Sequence, residues 1–132
     1  MKTLLKLEEL AQLLVCTVTL WMHEMPWWGY LLLLLGPDVG MAGYVVGPRT
    51  GAFTYNLLHH KGMALAVAGI GIGGAYLGVP LGALTTILLP AGVILYGHAC
   101  LDRLFGFGLK YTDAFAHTHL GWIGRERRPV EQ

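Results

Sequence analysis

Apolar side chains in this sequence run in four long blocks, separated by short segments rich in glycine, proline or charged residues. The blocks cover residues 4–22, 27–46, 52–77 and 81–105. The first block opens with a polar, amphipathic turn that contains Glu8, Glu9 and Gln12. Elsewhere the apolar residues run in blocks without an amphipathic period, which is typical of a helix with no side exposed to water. Each block is also near or above the roughly 20 residues that a helix needs to cross a bilayer. The pattern predicts an all-α fold: a single membrane domain over residues 1–132, built as a four-helix bundle.

Proline and glycine modify this picture at one point inside a block. Gly36-Pro37-Asp38 interrupts the second block. Because proline lacks an N–H and clashes with the preceding turn, we expect the second helix to be broken there. The polar residues 106–132 follow the last block, and we expect them to lie along the membrane surface.

Composition agrees with a membrane protein. Apolar residues make up 55% of the chain and charged residues 13%, against about 25% charged residues in a soluble domain. The net charge of +1 and the scattered basic residues give no reason to expect nucleic acid as a partner. Cys16 and Cys100 lie inside apolar blocks without a CxxC pattern, so we interpret them as buried small apolar residues.

The distribution of basic residues predicts the orientation of the bundle. In a four-span arrangement the loops around Glu24 and Gly78 contain no Lys or Arg, whereas the other ends of the spans are basic. Both termini are therefore predicted to be cytoplasmic. Trp21, Trp27 and Trp28 then form an aromatic belt on the opposite side. The basic residues on the cytoplasmic side are Lys2, Lys6, Arg49, Arg125, Arg127 and Arg128.

The third block contains many small residues, which let membrane helices approach closely. We expect this face to pack against another helix, either within the bundle or in a homo-oligomer. Its glycines are Gly69, Gly71, Gly73, Gly74 and Gly78.

Four ionisable residues inside the apolar blocks carry the candidate chemistry: Asp38, His59, His98 and Asp102. Asp38 and His59 each lie nine residues from the loop at residues 47–50, which places both roughly 13 Å inward. His98 and Asp102 are four residues apart and share one face of a helix near its cytoplasmic end. Two imidazoles and two carboxylates suit Zn²⁺ or another divalent transition metal.

Structural alternatives remain open for the same residues. Asp38 would cap the helix that follows the break, and His98 with Asp102 would form an ordinary hydrogen-bonded pair. His60 points about 100° away from His59 on a helix, so we expect it to be a neighbour of the site and not a ligand.

Four segments resemble the signature blocks of an uncharacterised bacterial membrane family, domain of unknown function forty-two-sixty. These segments are residues 36–44 (GPDVGMAGY), 55–59 (YNLLH), 98–111 (HACLDRLFGFGLKY) and 118–121 (THLG). The resemblance covers nearly the whole chain and implies a multi-pass protein of the bacterial inner membrane. The family has no established activity.

The order of the PD, YNxxH and HxxxD segments is also similar to that of membrane-bound metal-dependent hydrolases. This similarity implies that Asp38, His59, His98 and Asp102 are metal ligands, with Tyr55 and Asn56 as supporting or substrate contacts. Arg103 and Lys110 follow the fourth block, where basic side chains bind lipid phosphates, steady developing negative charge or simply anchor the chain on the cytoplasmic side.

Two functions fit these features. The first is a metal-dependent membrane hydrolase that acts on a lipid or other amphiphile near the cytoplasmic face. The second is a non-enzymatic binding or transport module, in which the same residues hold a haem, a metal ion or a proton relay.

Overall fold

The computed structural model describes residues 1–79 and 82–124. Within these residues the chain is mostly helical, as the sequence predicts. Its helices are α1 (Lys2–Met22), α2 (Trp27–Leu35), a 3₁₀ helix (Gly36–Val45), α3 (Pro48–His59), α4 (Lys61–Tyr76) and α5 (Leu84–Phe105). Two short strands, β1 (His117–Thr118) and β2 (Gly121–Trp122), form an antiparallel hairpin in the C-terminal segment. Arg125, Arg127 and Arg128, which contribute to the predicted orientation, lie outside the described residues.

The second apolar block changes from α-helix to 3₁₀ helix at Gly36, which confirms the predicted break. The third block differs from the prediction of one continuous span over residues 52–77. Its helix begins at Pro48 and is divided at His60, whose backbone is extended (φ −84°, ψ 114°). The His60 ring accepts a hydrogen bond from the Met63 N–H (3.3 Å) and so caps the start of α4.

The 3₁₀ helix and α3 pack together as a close antiparallel pair. The Thr54 hydroxyl donates a hydrogen bond to the Gly40 carbonyl (2.6 Å). A side chain at Gly40 would lie 2.9 Å from the Thr54 carbonyl oxygen, and one at Gly43 would lie 3.0 Å from that of Thr50. Three 3₁₀ residues rise about as far as four α-helical residues, roughly 6 Å. This match keeps the two elements in register and brings Asp38 beside the end of α3.

Helix α5 is the central element and contacts α1, α2 and α4. A Cβ on Gly92 would lie 2.5 Å from the backbone nitrogen of Ala68 in α4, and one on Gly97 would lie 2.9 Å from Leu33 in α2. Among the glycines of the third block, Gly71 faces the backbone of α5 closely, since a Cβ there would lie 2.7 Å from the Leu89 nitrogen.

The other glycines of the third block do not all share this contact. A Cβ added at Gly69 or Gly73 would meet no heavy atom of the described residues within 4 Å. The predicted close helix contact at these glycines is therefore present within the bundle at Gly71 but not at Gly69 or Gly73.

Among the described residues, α5 is the one helix that is long and apolar enough to cross a membrane. The breaks at Gly36 and His60 leave α2, α3 and α4 with 9, 12 and 16 residues. Helix α1 is longer but carries charged residues in its first half. The all-helical core of the fold class is therefore observed, whereas a four-span bundle stays a prediction.

Candidate metal centre

The four ionisable residues singled out in the sequence meet at one point, and we call them the His/Asp cluster: Asp38, His59, His98 and Asp102. Asp38 comes from the first turn of the 3₁₀ helix and His59 is the last residue of α3. His98 and Asp102 come from successive turns of α5. One donor atom from each residue lies within 4.8 Å of the other three.

The two imidazoles face each other through their Nε2 atoms, which are 3.0 Å apart. On the far side of each ring, Nδ1 lies 2.8 Å from a backbone carbonyl oxygen, that of Tyr55 for His59 and that of Leu33 for His98. A carbonyl oxygen only accepts hydrogen bonds, so both Nδ1 atoms must carry the proton. In the neutral rings, both Nε2 atoms therefore direct lone pairs at each other.

The sequence explains why the Leu33 carbonyl is free to accept a hydrogen bond from His98. In an α-helix the Leu33 carbonyl would accept from the N–H of the residue four positions later, which is Pro37. Proline has no N–H, so this carbonyl is left without its helical partner. The proline that breaks the second helix thus supplies the acceptor that orients His98. Among the described residues no side chain caps the 3₁₀ helix, so the alternative in which Asp38 caps it is not what the structure contains.

The carboxylates of Asp38 and Asp102 add oxygen atoms that could bind a metal beside the two Nε2 atoms. The nearest Asp38 oxygen is 3.6 Å from His59 Nε2 and 3.4 Å from His98 Nε2. Asp102 lies 3.3 Å from His59 Nε2 and 3.7 Å from His98 Nε2. Ligands bound to Zn²⁺ at 2.0–2.2 Å in a tetrahedron are about 3.3–3.6 Å apart. The distances from the imidazoles to the carboxylates are close to this spacing. The two Nε2 atoms are closer together, at 3.0 Å, and the four donor atoms as a set lie within 4.8 Å of one another, so the ligand atoms would have to shift to bind one metal ion.

The cluster is buried on the histidine side and open on one carboxylate. The side chains of His59 and His98 are 3% and 1% exposed, and that of Asp102 is 14% exposed. Asp38 is 34% exposed, so solvent or a ligand reaches the cluster past this residue. A metal bound here would have a protected half and an accessible half, as a catalytic site requires.

Tyr55 supports the cluster directly. Its hydroxyl donates a hydrogen bond to Asp102 Oδ2, and its ring stacks on His59 with 3.7 Å between centroids and 13° between planes. Metal-binding carboxylates and imidazoles are commonly held by such outer contacts, which orient the ligands. The structure thus places Tyr55 next to two of the four cluster residues.

Asn56 and Lys110 attach the C-terminal segment to α3 beside the cluster. The side-chain amide of Asn56 donates to the Lys110 carbonyl (2.8 Å), and its Oδ1 accepts from the Lys110 N–H (2.7 Å). The Lys110 ammonium donates to the Phe115 carbonyl and lies 4.8 Å from the centroid of the Tyr55 ring. Burial lowers the pKa of Lys110, and the carboxylates of Asp102 and Asp38 act in the opposite direction.

Arg103 points away from the cluster. Its guanidinium lies 3.7 Å from Glu9 on α1, and among the described residues it forms no ion pair with either cluster carboxylate. Glu9 belongs to a polar network that the sequence did not reveal, which we call the Glu9 network. It consists of Glu9, Gln12, Lys61 and Tyr96, joined by contacts of 2.6–2.8 Å. The only sequence signal was Glu9 and Gln12, three residues apart at the start of an apolar block.

The remaining histidines near the cluster in sequence do not join it. His60 is exposed and caps α4, as described above. The His117 ring stacks on Trp122 and bonds to Asp113, and this hydrogen bond lowers the pKa of Asp113. Nδ1 of His119 accepts the Leu109 N–H (2.8 Å). Both of these histidines therefore serve the C-terminal hairpin.

Tyr44 is a further polar residue near this region; it ends the signature segment 36–44, but the sequence analysis did not single it out as a site residue. Its hydroxyl is buried and has no hydrogen-bond partner among the described residues. Its ring packs edge-on against Phe115, with 5.1 Å between centroids, on the side of the fold where Lys110 also contacts Phe115.

Comparison with models of known families identifies the family of this chain. Residues 2–123 match the family model described as Domain of unknown function (DUF4260). The chain belongs to this family. The DUF4260 match runs from α1 into the C-terminal segment past β2 and includes the whole His/Asp cluster together with the segment around Lys110. No curated protein and no solved structure matches the chain, so the similarity to metal-dependent hydrolases has no support from these comparisons.

Proposed function

We propose that this DUF4260 protein is a metal-dependent membrane hydrolase that acts on a lipid or other amphiphile. The observation that carries the proposal is the pair of Nε2 lone pairs facing each other at 3.0 Å between two carboxylates. A buried acceptor without a donor costs about 1–3 kcal/mol. A cation at the centre of the cluster would remove this cost for both Nε2 atoms and would pair with the two carboxylates.

A divalent metal ion held there would polarise a bound water molecule and lower its pKa toward neutrality, which is the chemistry a hydrolase needs. His59 and His98 are buried and Asp102 is 14% exposed, and we assign these three residues to holding the metal. Asp38 is the most exposed of the four at 34%, and we assign it as the fourth residue that would hold the metal and, on the accessible side, would accept a proton from a water molecule. Imidazole together with carboxylate favours zinc among the common divalent metals.

Three further residues support this site in the proposal. Tyr55 holds Asp102 in position, and Asn56 keeps the Lys110 segment beside α3. Lys110 contributes positive charge on the side of the carboxylates, where negative charge develops during hydrolysis. Arg103 faces Glu9, so we assign it no part in the chemistry.

The membrane location rests on the surface of the fold. Apolar side chains that are about half or more exposed lie along α1, α2, α4 and α5, and large exposed apolar surfaces are typical of membrane or protein contacts. Examples are Leu14 at 57%, Leu35 at 62% and Ile70 at 56%. A bilayer around these helices removes this surface from water. In this proposal the His/Asp cluster of the DUF4260 chain lies inside the membrane region, near the predicted cytoplasmic face.

Metal content tests the first half of the proposal. Protein purified without chelators and offered Zn²⁺, Mn²⁺ and Fe²⁺ should contain about one metal ion per chain by elemental analysis. His59→Asn should lose it. His60→Asn is the matched control, because it makes the same change at the next residue and asparagine still suits a helix cap. Metal-free wild type, or equal metal loss in both variants, would contradict the proposal.

Lipid hydrolysis tests the second half. Metal-loaded and chelator-treated protein is incubated with a bacterial lipid extract in mixed micelles, and the products are identified by mass spectrometry. The proposal predicts products that require both the metal and His98. A stoichiometric metal ion without any product would reject hydrolysis and leave the cluster as a metal-binding module.

One observation also favours a second function, a proton relay. A single proton between the two Nε2 atoms would form an N–H···N bond at the observed 3.0 Å, with the carboxylates balancing the charge. Haem fits less well, since the carboxylate oxygens occupy the space that a porphyrin between the two rings would need. A protein that binds no metal but whose His59 and His98 share a proton by ¹⁵N NMR would establish the relay.

A further inference from the structure

A second site lies on the other side of α5, away from the His/Asp cluster. It is a cavity of about 640 Å³ between the start of α1, the end of α5 and the C-terminal segment. Four of its lining residues carry nitrogen donors, namely Lys2, Lys6, Arg103 and His119. We call it the basic cavity. Its volume is within the 300–1,000 Å³ range of small-molecule sites.

The charge in the basic cavity is not balanced. Among the described residues, Glu9 is the one acidic residue that lines it. One oxygen of Glu9 is already paired with Lys61 at 2.6 Å, whereas Arg103 is 3.7 Å from the other oxygen. The Glu9 carboxylate is thus shared by two cations, and it lies closer to Lys61, which is outside the cavity, than to Arg103. The lysines and Arg103 leave the cavity with net positive charge.

The donors in the basic cavity are also available. The Arg103 side chain is 19% exposed and lines the cavity. Among the described residues its guanidinium donates no hydrogen bond, and its one ion pair, with Glu9, is long at 3.7 Å, so N–H groups that do not face Glu9 are available to an anion. His119 accepts a hydrogen bond at Nδ1, so its neutral ring carries the proton on Nε2. A planar guanidinium with neighbouring ammonium groups matches the oxygen geometry of a phosphate.

Apolar residues form the rest of the wall. Leu5 and Leu120 line the cavity and are 51% and 48% exposed. The cavity therefore offers a charged end and an apolar side, as an amphiphile with an anionic headgroup requires. Its position, where the first residues of α1 meet the end of α5, is the side that the basic residues predict to be cytoplasmic.

We propose that the basic cavity binds the phosphate headgroup of an anionic lipid, with Arg103 and Lys6 as its principal contacts. Arg103 binds two phosphate oxygens, Lys6 and Lys2 supply charge, and the acyl chains leave along Leu5 and the exposed face of α1. This site is separate from the metal centre, and neither proposal depends on the other.

Native mass spectrometry of the full chain in neutral detergent tests the proposal. The protein is offered equal amounts of phosphatidylglycerol and phosphatidylcholine with the same acyl chains. Wild type should retain the anionic lipid in at least tenfold preference. Lys6→Gln and Arg103→Gln should lose most of this preference. Arg49→Gln is the matched control, because it also removes one positive charge but lies outside the basic cavity.

Two additional measurements keep the result interpretable. Inorganic phosphate is added as a competitor: displacement of the lipid shows that the phosphate group alone is recognised, and failure to displace it shows that the cavity requires the whole lipid. The thermal unfolding temperature of Lys6→Gln in the same detergent, expected to equal that of wild type, shows that the fold is intact. Equal retention of both lipids by wild type, or an equal loss of preference in Arg49→Gln, would overturn the proposal.

Discussion

At the scale of residues, two backbone carbonyls determine the chemistry of the His/Asp cluster. The Leu33 and Tyr55 carbonyl oxygens accept hydrogen bonds from the Nδ1–H groups of His98 and His59. These hydrogen bonds orient both rings so that their Nε2 atoms face each other. Metal-binding histidines commonly have such a carbonyl partner on the opposite nitrogen. The inward pair of unprotonated nitrogens is what distinguishes this cluster from a set of polar residues that satisfy one another.

Removal of the Tyr55 hydroxyl should weaken metal binding. Tyr55→Phe keeps the ring that stacks on His59 but loses the hydrogen bond to Asp102. Loss of such an outer contact typically lowers metal affinity about 10–100-fold. Competition with a chromogenic chelator measures the change. Tyr96→Phe, which removes a hydroxyl bound to Gln12 instead, should leave the affinity unchanged; the same affinity in wild type and both variants would contradict the role of Tyr55.

The residues of the cluster were predictable because each is ionisable and lies inside an apolar block. His98 and Asp102 also share a helix face, so two of the four positions were related by helix geometry alone. The direction of Arg103 was not predictable. It follows Asp102 by one residue and points about 100° away, and only the packing of α1 against α5 reveals that Glu9 lies there.

At the scale of elements, the break in the second block builds part of the site. Pro37→Ala should restore an N–H that competes with His98 for the Leu33 carbonyl and favours a regular helix through Asp38. We expect metal affinity to fall about tenfold, in the range of a lost outer contact. Pro90→Ala, inside α5, is the matched control and should bind metal like wild type. Unchanged affinity in Pro37→Ala would show that the break does not position the ligands.

Close approach of α4 and α5 should depend on Gly92 and not on Gly73. Gly92→Ala places a methyl group 2.5 Å from the Ala68 backbone nitrogen, so the helices must separate, at a cost of about 1–3 kcal/mol. Gly73→Ala meets no atom of the described residues within 4 Å and should be neutral or slightly stabilising. Thermal unfolding in detergent compares the two variants. Equal stability would contradict the close contact, and a loss of oligomeric mass in Gly73→Ala alone would support a dimer through this face.

One break was predictable and the other was not, for a physical reason. Pro37 predicts the break at Gly36, because proline has no N–H and so prevents a regular helix in any surroundings. The break at His60 depends on a histidine ring that caps the next helix, a role that Ser, Thr, Asp and Asn usually perform. The apolar pattern on either side of His60 therefore predicts one helix over residues 52–77.

At the scale of the whole molecule, three of the predicted cytoplasmic residues line cavities together with residues of the C-terminal segment. Lys2 and Lys6 share a cavity with Arg103, and Arg49 lines another with Thr112 of the C-terminal segment. The short turn after α4 should then face the opposite side of the membrane. The orientation stays a prediction from the basic residues, because within the described residues a single helix satisfies the criteria for a membrane span.

Cysteine labelling tests this orientation. In a variant without Cys16 and Cys100, Val79→Cys should react with an impermeant maleimide in intact bacterial cells. Arg49→Cys should react only after the cells are opened. Labelling of Arg49→Cys in intact cells, with Val79→Cys protected, would reverse the predicted topology.

The central claim is that the His/Asp cluster is a metal centre, and X-ray absorption at the zinc edge tests it most directly. Zinc-loaded protein should show two imidazole nitrogens and two carboxylate or water oxygens at about 2.0–2.2 Å, without sulfur. His98→Asn should lose the bound zinc. A first shell with a sulfur at about 2.3 Å, or with fewer than two imidazoles, would place the metal elsewhere and contradict the account.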